Sequence, residues 1–183
     1  MLSTNQDIEQ LLELCCKGHQ KSQIEIYNRY YKAMYNTSLR IVRDSYKAED
    51  VMQESFLTAF EKLNTLKDKT MFGSWLKRIV INNSIAEYNR LTKENNVDLE
   101  TVLYKVENTN GIEENDSKNE KVKHILDSIK QLKSNYSLGL TLHLIEGYDY
   151  EEISEIMNIS YANCRTLISR AKESLRQKLS VSA

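Results

Sequence analysis

The chain has 183 residues, of which 40% are hydrophobic and 28% are charged, and it contains no proline and five glycines. A chain of this length forms one domain or two small ones, and the scarcity of helix breakers favours an all-α protein. The longest apolar runs are too short to cross a bilayer, and the first residues lack the basic and hydrophobic segments of a secretory signal. We therefore expect a cytoplasmic protein without membrane insertion.

The three cysteines show no CxxC spacing, which argues against a disulfide framework and against a closed zinc site. We expect no metal and no cofactor. The adjacent Cys15 and Cys16 are interpreted as buried, unreactive thiols, the usual state of free cysteine, rather than as a sensor of oxidants or metal ions.

The formal net charge of −1 hides an uneven distribution along the chain. Residues 1–19 carry a net charge of −2, residues 20–92 carry +4, residues 93–120 carry −5 and residues 121–183 carry +2. Two mildly basic blocks separated by an acidic connector predict two binding modules and a tether that avoids polyanions.

Apolar periodicity predicts four helices in the first half of the chain, over residues 5–17, 21–43, 46–63 and 71–91. Gly18 ends the first of them, and Asp44 with Ser45 separates the second from the third. The predicted inward positions of the second helix are Ile24, Tyr27, Tyr31, Met34, Tyr35, Leu39 and Val42. Those of the third are Val51, Met52, Ser55, Phe56, Ala59, Phe60 and Leu63, and those of the fourth are Trp75, Leu76, Ile79, Val80 and Ile85. Together the helices can close a small four-helix core.

The apolar pattern fades over residues 92–116, which we interpret as a flexible acidic linker with one helical turn at residues 99–106. A second module follows over residues 117–179. Its predicted core positions are Ile125, Leu126, Ile129, Leu132, Leu138, Leu140, Leu142 and Leu144.

The last thirty-five residues carry the most informative pattern. Asp149 and Glu152 have the spacing of a capping box, Asn158 closes a short helix, and Ser160 can cap a second one. The inward positions of that second helix are Cys164, Leu167, Ile168, Ala171 and Leu175, and its cations are Arg165, Arg170, Lys172, Arg176 and Lys178. Two short helices with a basic second member are typical of a DNA-binding helix-turn-helix, whereas an ordinary helical hairpin is the alternative for such a segment in isolation.

Two further segments, residues 48–60 and 72–84, stand before this helix-turn-helix. In this order and at this spacing the three segments resemble the extracytoplasmic-function (ECF) group of bacterial sigma factors, over nearly the whole chain. Residues 161–172 look especially like the Bacteroidetes branch. The resemblance implies an N-terminal helix (1–19), sigma domain two (20–92), a linker (93–117) and sigma domain four (118–183). It also implies a non-enzymatic protein that binds core RNA polymerase and directs promoter-specific transcription initiation.

The third predicted helix carries an acidic and amide-bearing stripe. Asp50, Gln53 and Glu54 share one face, while Val51, Met52 and Phe56 turn toward the core. Such a stripe suits a basic partner surface. The resemblance implies that Asp50, Gln53 and Glu54 contact core polymerase, whose partner surfaces in this family are the largest-subunit clamp and the flap.

The resemblance also implies that the fourth helix and the loop before it open promoter DNA near the start site and hold an extruded base. Base flipping costs a few kcal/mol, so contacts to the base and cations for the backbone are required. The matching residues are Asn64, Lys67, Lys69, Lys77, Arg78, Asn82 and Asn83. Trp75 is interpreted as a core residue rather than a stacking platform.

After Asn82 the family usually carries an acidic residue and then a basic cluster, but here Ala86, Glu87, Tyr88 and Asn89 occupy those places, and Arg90 and Lys93 are the cations. Fewer phosphate contacts weaken DNA binding. A separate DNA-targeting partner is therefore one hypothesis, beside the anti-sigma factor that is the commonest partner in the family.

In the second helix of the helix-turn-helix, the resemblance implies contacts to the upstream promoter element. The matching residues are Asn163, Arg165, Thr166, Ser169 and Arg170. Arginine reads guanine and asparagine reads adenine in the major groove, whereas Lys172 and Arg176 suit phosphates.

Two other classes of function fit the sequence less well. A stand-alone helix-turn-helix regulator needs no polymerase-binding face, so the stripe on the third helix argues against it. An enzyme would require a nucleophile–base pair, a phosphate-binding glycine loop or a metal site, and none is evident. His19, His124 and His143 are scattered and are interpreted as structural.

Overall fold

A computed structural model describes residues 7–95 and 116–181. Within these residues the secondary structure consists of eight α-helices with short 3-10 and π turns and includes no strand, which confirms the prediction of an all-α fold. The chain divides into two compact units, residues 1–96 and 97–183. Most of the predicted linker, including its helical turn at residues 99–106, lies outside the described residues.

The first unit contains four α-helices: α1 (Ile8–Cys16), α2 (Gln20–Val42), α3 (Ser45–Lys62) and α4 (Phe72–Asn95). Two 3-10 turns, Leu63–Thr65 and Lys69–Met71, lie between α3 and α4. The predicted end of the fourth helix at residue 91 was too early, because no glycine or proline interrupts the helix before Asn95.

Local backbone chemistry explains where these helices begin and end. Gly18 follows α1 with a φ of 77°, a left-handed conformation that glycine adopts without steric cost. Arg43 ends α2 in the same region of backbone space, and Asp44 then caps α3 by accepting a hydrogen bond from the backbone N–H of Lys47 at 2.9 Å.

All four helices of the first unit contribute to its core, and α1 supplies the buried Leu11, Leu12 and Cys15. The predicted inward stripe of α3 is confirmed, except that Phe60 is half-buried. Trp75 is also half-buried and packs with its ring centroid 6.0 Å from that of Phe72, as expected of a residue at the edge of the core. The prediction for Ile24 was wrong, since its side chain is 60% exposed. Ile24 lies one turn from the start of α2, and the buried position there is Ile26.

Two polar contacts, each of which includes a buried serine of a neighbouring helix, link α4 to α2 and α3. The Ser84 hydroxyl lies 2.6 Å from the Val80 carbonyl oxygen, to which it donates, and 3.0 Å from the Ser38 hydroxyl on α2. The Asn83 amide donates to the Ser55 hydroxyl on α3 at 3.0 Å, and Ser55 in turn donates to the Val51 carbonyl at 2.6 Å. Polar groups thus fix how α4 sits against its two neighbours.

The second unit contains α5 (Asp116–Lys130), α6 (Ser134–Leu140), α7 (Tyr150–Met157) and α8 (Tyr161–Val181), and a π turn, Thr141–Ile145, follows α6. Ile129, Leu140, Ala171 and Leu175 form a buried cluster in this unit.

Two predicted core residues of the second unit are on the surface. Ile125 is 41% exposed and Leu144 is 51% exposed. Residues two apart in a helical turn point in roughly opposite directions, so Leu142 and Leu144 cannot both face inward. Leu142 is the buried one. On α5, Ile129 rather than Ile125 occupies the inward position.

Candidate functional surfaces

The outer face of α3 presents the predicted polar stripe to solvent. Asp50, Gln53 and Glu54 are all exposed, while Val51 and Met52 between them are buried. The structure therefore brings the three predicted polymerase-binding residues together on one surface.

Two exposed apolar side chains extend this face, and the sequence analysis missed both. Tyr46 is 81% exposed and lies one turn before Asp50, and Leu57 is 66% exposed and lies one turn after Gln53 and Glu54. Projecting the sequence on a helix would have placed them beside the stripe, since they stand at i−4 and i+7 from Asp50. We name the surface formed by Tyr46, Asp50, Gln53, Glu54 and Leu57 the α3 face.

The loop between α3 and α4 borders an open groove of about 430 Å³. Asn64 and Lys69 line it together with α1, and the Lys69 ammonium lies 3.3 Å from the Glu13 carboxylate. Lys67 is exposed. The complete lining is Glu13, Cys16, Lys17, Leu63, Asn64, Leu66 and Lys69. The contribution of α1 was not predicted, because nothing in the local pattern relates residues 13–17 to a loop some fifty residues later.

The predicted DNA-binding residues of α4 differ in their surroundings. Lys77 and Arg78 are half-buried, and Asn82 is exposed. Asn83 is half-buried and its amide donates to Ser55, so its side chain joins α4 to α3.

A compensated cluster of charges lies near the end of α4. The Arg90 guanidinium donates to both Glu87 carboxylate oxygens, at 2.7 and 2.9 Å, and the Lys47 ammonium lies 3.9 Å from Glu87. The hydrogen bonds from Arg90 hold the pKa of Glu87 below its ordinary value. The positive charge of Arg90 is therefore partly neutralised by Glu87.

The helix-turn-helix forms as its sequence signals predict. The Asp149 carboxylate accepts from the Glu152 N–H at 2.8 Å and the Glu152 carboxylate accepts from the Asp149 N–H at 3.0 Å, which completes the capping box. Asn158 ends α7 with a φ of 52°, and the Ser160 hydroxyl accepts from the Asn163 N–H at 3.2 Å at the start of α8.

Close packing holds α8 against the rest of the second unit. The predicted inward residues Cys164, Ile168, Ala171 and Leu175 are buried, and Leu167 is half-buried. A Cβ at Gly139 on α6 would lie 2.5 Å from Leu167 Cδ2, so any larger residue at this position would force the Leu167 side chain to move.

Most of the predicted upstream-element residues share the exposed side of α8. The exposed residues are Asn163, Arg165, Thr166, Ser169, Arg170 and Arg176. The Thr166 hydroxyl donates to the Ala162 carbonyl at 3.0 Å, and Arg176 donates to Glu173 at 3.1 Å. Lys172 differs, since it is half-buried and hydrogen-bonded to His143.

The cysteines were predicted to be buried and unreactive, which is right for two of them. Cys15 and Cys164 are buried, whereas Cys16 is exposed. Burial, reinforced by the neighbouring Cys16, raises the pKa of Cys15 to about 11, and burial also raises the pKa of Cys164.

No helix within residues 7–95 and 116–181 is long and apolar enough to cross a membrane. In the same part of the chain, no group of three or more His, Cys, Asp and Glu side chains is arranged to hold a metal ion.

Comparisons with known proteins identify the family. The family model described as "Sigma-70 region 2" matches residues 26–94, in the first unit. The family model described as "Sigma-70, region 4" matches residues 124–175, in the second unit. Together the two matches cover more than half of the chain.

Curated relatives match over most of their length. The RNA polymerase sigma-H factor of Pseudomonas aeruginosa is 28% identical over 98% of this chain and 96% of its own. The ECF RNA polymerase sigma factor SigM of Bacillus subtilis is 28% identical over 83% of this chain and 91% of its own. A solved structure of the sigma factor RpoE in complex with the anti-sigma factor NepR, from Bartonella quintana, covers 87% of this chain and 97% of the other at a TM-score of 0.58 and 17% identity, which shows a shared fold.

The match of both sigma-70 regions, one in each unit, agrees with the two helical units and their outward-facing polar surfaces. The chain belongs to the sigma-70 family, in its ECF group, and is a sigma factor that binds core RNA polymerase and directs promoter-specific transcription initiation.

Proposed function

We propose that the α3 face is the surface through which this sigma factor binds the clamp of the largest polymerase subunit. The observation that carries the proposal is that all five side chains project outward from a helix whose opposite side is buried. Two carboxylates and an amide suit a basic partner surface. Leu57 and Tyr46 supply exposed apolar and aromatic area of the kind that interfaces bury at their centre.

The proposal can be tested by run-off transcription from genomic fragments with core polymerase from the source bacterium. Asp50→Ala, Gln53→Ala and Glu54→Ala are combined in one variant. The matched control is Asp7→Ala, Glu9→Ala and Gln10→Ala, which also removes two carboxylates and one amide from exposed positions of the same unit. We expect start-site-specific transcripts from the control and none from the α3-face variant. Leu57→Ala should weaken the affinity for core polymerase, measured by titration with labelled protein, with no loss of stability.

Other outcomes of the transcription experiment have distinct meanings. Equal losses from both triple variants would refute the α3 face as the specific surface and indicate a general charge effect. Binding to core without specific transcripts would indicate that a targeting partner is missing. No binding of the unaltered chain to core would refute the sigma factor assignment and leave a stand-alone helix-turn-helix regulator.

We assign promoter recognition near the start site to residues 20–92, and in particular to the groove bordered by the loop before α4. Asn64 at the groove offers both donors and acceptors to a base, and Lys67 and Lys69 supply charge for the backbone. Lys77, Arg78 and Asn82 extend this surface along α4. We assign Asn83 mainly the role of joining α4 to α3, since its side chain is half-buried and one amide N–H donates to Ser55.

We assign the upstream promoter element to residues 118–183, with α8 in the major groove. The exposed residues near its start, Asn163, Arg165 and Thr166, lie where a recognition helix meets base edges. Ser169 and Arg170 follow one turn later. Lys172 and Arg176 serve phosphates. The acidic segment, residues 93–117, joins the two domains and is repelled by DNA.

An anti-sigma factor is the partner we propose for regulation, and the solved RpoE–NepR complex supports it. A purified anti-sigma factor should compete with core polymerase for this chain.

A DNA-targeting partner is the second candidate, and the observation favouring it is the pairing of Arg90 with Glu87 in a segment that is already poor in cations. We place the protein in the cytoplasm, beside its polymerase and DNA partners, and propose no catalytic activity.

A further inference from the structure

A histidine from the π turn of the second unit contacts a lysine of the recognition helix. His143 Nε2 lies 3.2 Å from the Lys172 ammonium, and His143 Nδ1 lies 3.0 Å from the carbonyl oxygen of Tyr148. The Tyr150 ring packs on the same group, with its centroid 4.9 Å from that of the imidazole and 5.9 Å from the Lys172 nitrogen. Lys172 is thus held by a hydrogen bond and by an aromatic ring.

The partners of His143 determine which of its nitrogens carries the proton. A backbone carbonyl only accepts hydrogen bonds, so Nδ1 must donate to Tyr148. An ammonium only donates, so Nε2 must accept from Lys172. The contacts therefore select the neutral imidazole with its proton on Nδ1. The Tyr148 carbonyl fixes this tautomer in the way that a backbone carbonyl fixes the tautomer of a metal-binding histidine.

We propose that His143 is a positioning residue that orders Lys172 for contact with a promoter phosphate. This inference rests on the proposed role of Lys172. An ammonium has three donors, so two remain for phosphate oxygens after one is given to His143. A lysine side chain loses much rotational freedom when it binds, and His143 with Tyr150 imposes part of that order before DNA arrives.

Asparagine and glutamine separate the two functions of the imidazole. In His143→Asn the amide stands near the place of Nδ1 and keeps the donor to Tyr148, but the acceptor for Lys172 is lost. In His143→Gln an amide oxygen reaches the place of Nε2 and keeps that acceptor. His124→Asn is the matched control, because His124 is an exposed histidine of the same unit.

Holoenzyme made with each full-length variant is titrated with the genomic fragment that gives the strongest specific transcript, over a series of KCl concentrations. His143→Asn should weaken binding by about two- to tenfold, which is the cost of ordering one long side chain. His143→Gln should weaken it less, and His124→Asn should not change it. Lys172→Ala should weaken binding and lower the slope of log K against log salt by about one, because one phosphate contact is lost.

The decisive variant combines His143→Asn with Lys172→Ala. If His143 acts through Lys172, its substitution costs nothing further in the Lys172→Ala background, whereas a role only in folding would cost the same in both backgrounds. An equal loss in both backgrounds, or equal losses from the asparagine and glutamine variants, would overturn the inference. A Lys172→Ala variant with unchanged binding would refute the phosphate contact itself, and the inference with it.

A spectroscopic measurement tests the geometry without DNA. In the ¹⁵N-labelled full-length protein, the ring nitrogens of His143 should report the proton on Nδ1 and a bare Nε2. The opposite tautomer would show that the bond to Lys172 is absent and would overturn the inference.

Discussion

The adjacent residues Asn82 and Asn83 were expected to share a role in DNA binding, but the structure predicts opposite consequences for their loss. Asn83 donates to Ser55, whose hydroxyl is fully buried and itself donates to Val51. Asn83→Ala leaves the Ser55 oxygen without that donor. Asn82 is exposed, and its replacement removes no such contact.

The expected size of the effect follows from the hydrogen bond. A net contribution of about 0.5–1.5 kcal/mol, with some packing of a half-buried side chain, gives a loss in unfolding free energy of about 1–2 kcal/mol for Asn83→Ala. Alanine raises helix propensity equally at both positions, so the difference between the two variants reports the contact with Ser55 together with the packing of the half-buried Asn83 side chain. In a unit of this size each kcal/mol lowers the melting temperature by roughly 4–8 °C.

Urea unfolding followed by tryptophan fluorescence measures the difference directly. Trp75 is the single tryptophan of the chain and lies in the first unit, so its emission reports that unit alone. Asn83→Ala should lower the urea midpoint, whereas Asn82→Ala should leave it unchanged or slightly raised. At temperatures well below unfolding, Asn82→Ala should reduce specific transcripts and Asn83→Ala should retain them. Equal midpoints for the two variants, or lost transcription in a stable Asn83→Ala protein, would refute the reasoning.

Three further predictions concern stability and reactivity. Ser84→Ala should lower the free energy of unfolding by about 1–3 kcal/mol, because it leaves the buried Ser38 hydroxyl unpaired. In the same fluorescence titration, adding Ser38→Ala should recover part of that loss. Additive losses from the two substitutions would contradict the pairing. Iodoacetamide at pH 8 should label the exposed Cys16 first, since the thiolate is the reactive form and a pKa of about 11 keeps Cys15 protonated. Peptide mass spectrometry should show that the labelling of Cys15 accelerates as the pH rises toward 11. Faster labelling of Cys15 than of Cys16 at pH 8 would argue against the burial of Cys15. Asp149→Ala should destabilise the start of α7 by about 1 kcal/mol, seen as faster hydrogen exchange of its first amides, and unchanged exchange would argue against the capping box.

Features set by neighbouring residues were predictable from the sequence. Helix caps such as Asp44 and Asp149 act over three residues, and the helical repeat alone separates Asp50 and Glu54 from Val51. The all-α fold and the helix-turn-helix follow from the same short-range signals, since hydrogen bonding and periodicity are encoded within a few turns.

Apolar periodicity was less reliable where it had to select among neighbouring apolar residues. Ile24 and Ile125 fit a helical pattern and are nevertheless exposed. Periodicity shows that a helix has an apolar side. How much of that side becomes buried depends on which helix packs against it.

The sequence by itself determined the four helices of the first unit, the helix-turn-helix, the caps at Asp44 and Asp149, the family and the outward direction of the polar stripe on α3. Only the tertiary structure showed that Asn83 joins Ser55, that Glu13 pairs with Lys69 across 56 residues, and that His143 holds Lys172 across 29. Such contacts depend on how distant helices meet, and no local pattern in the chain specifies which polar side chains will then lie within hydrogen-bonding distance.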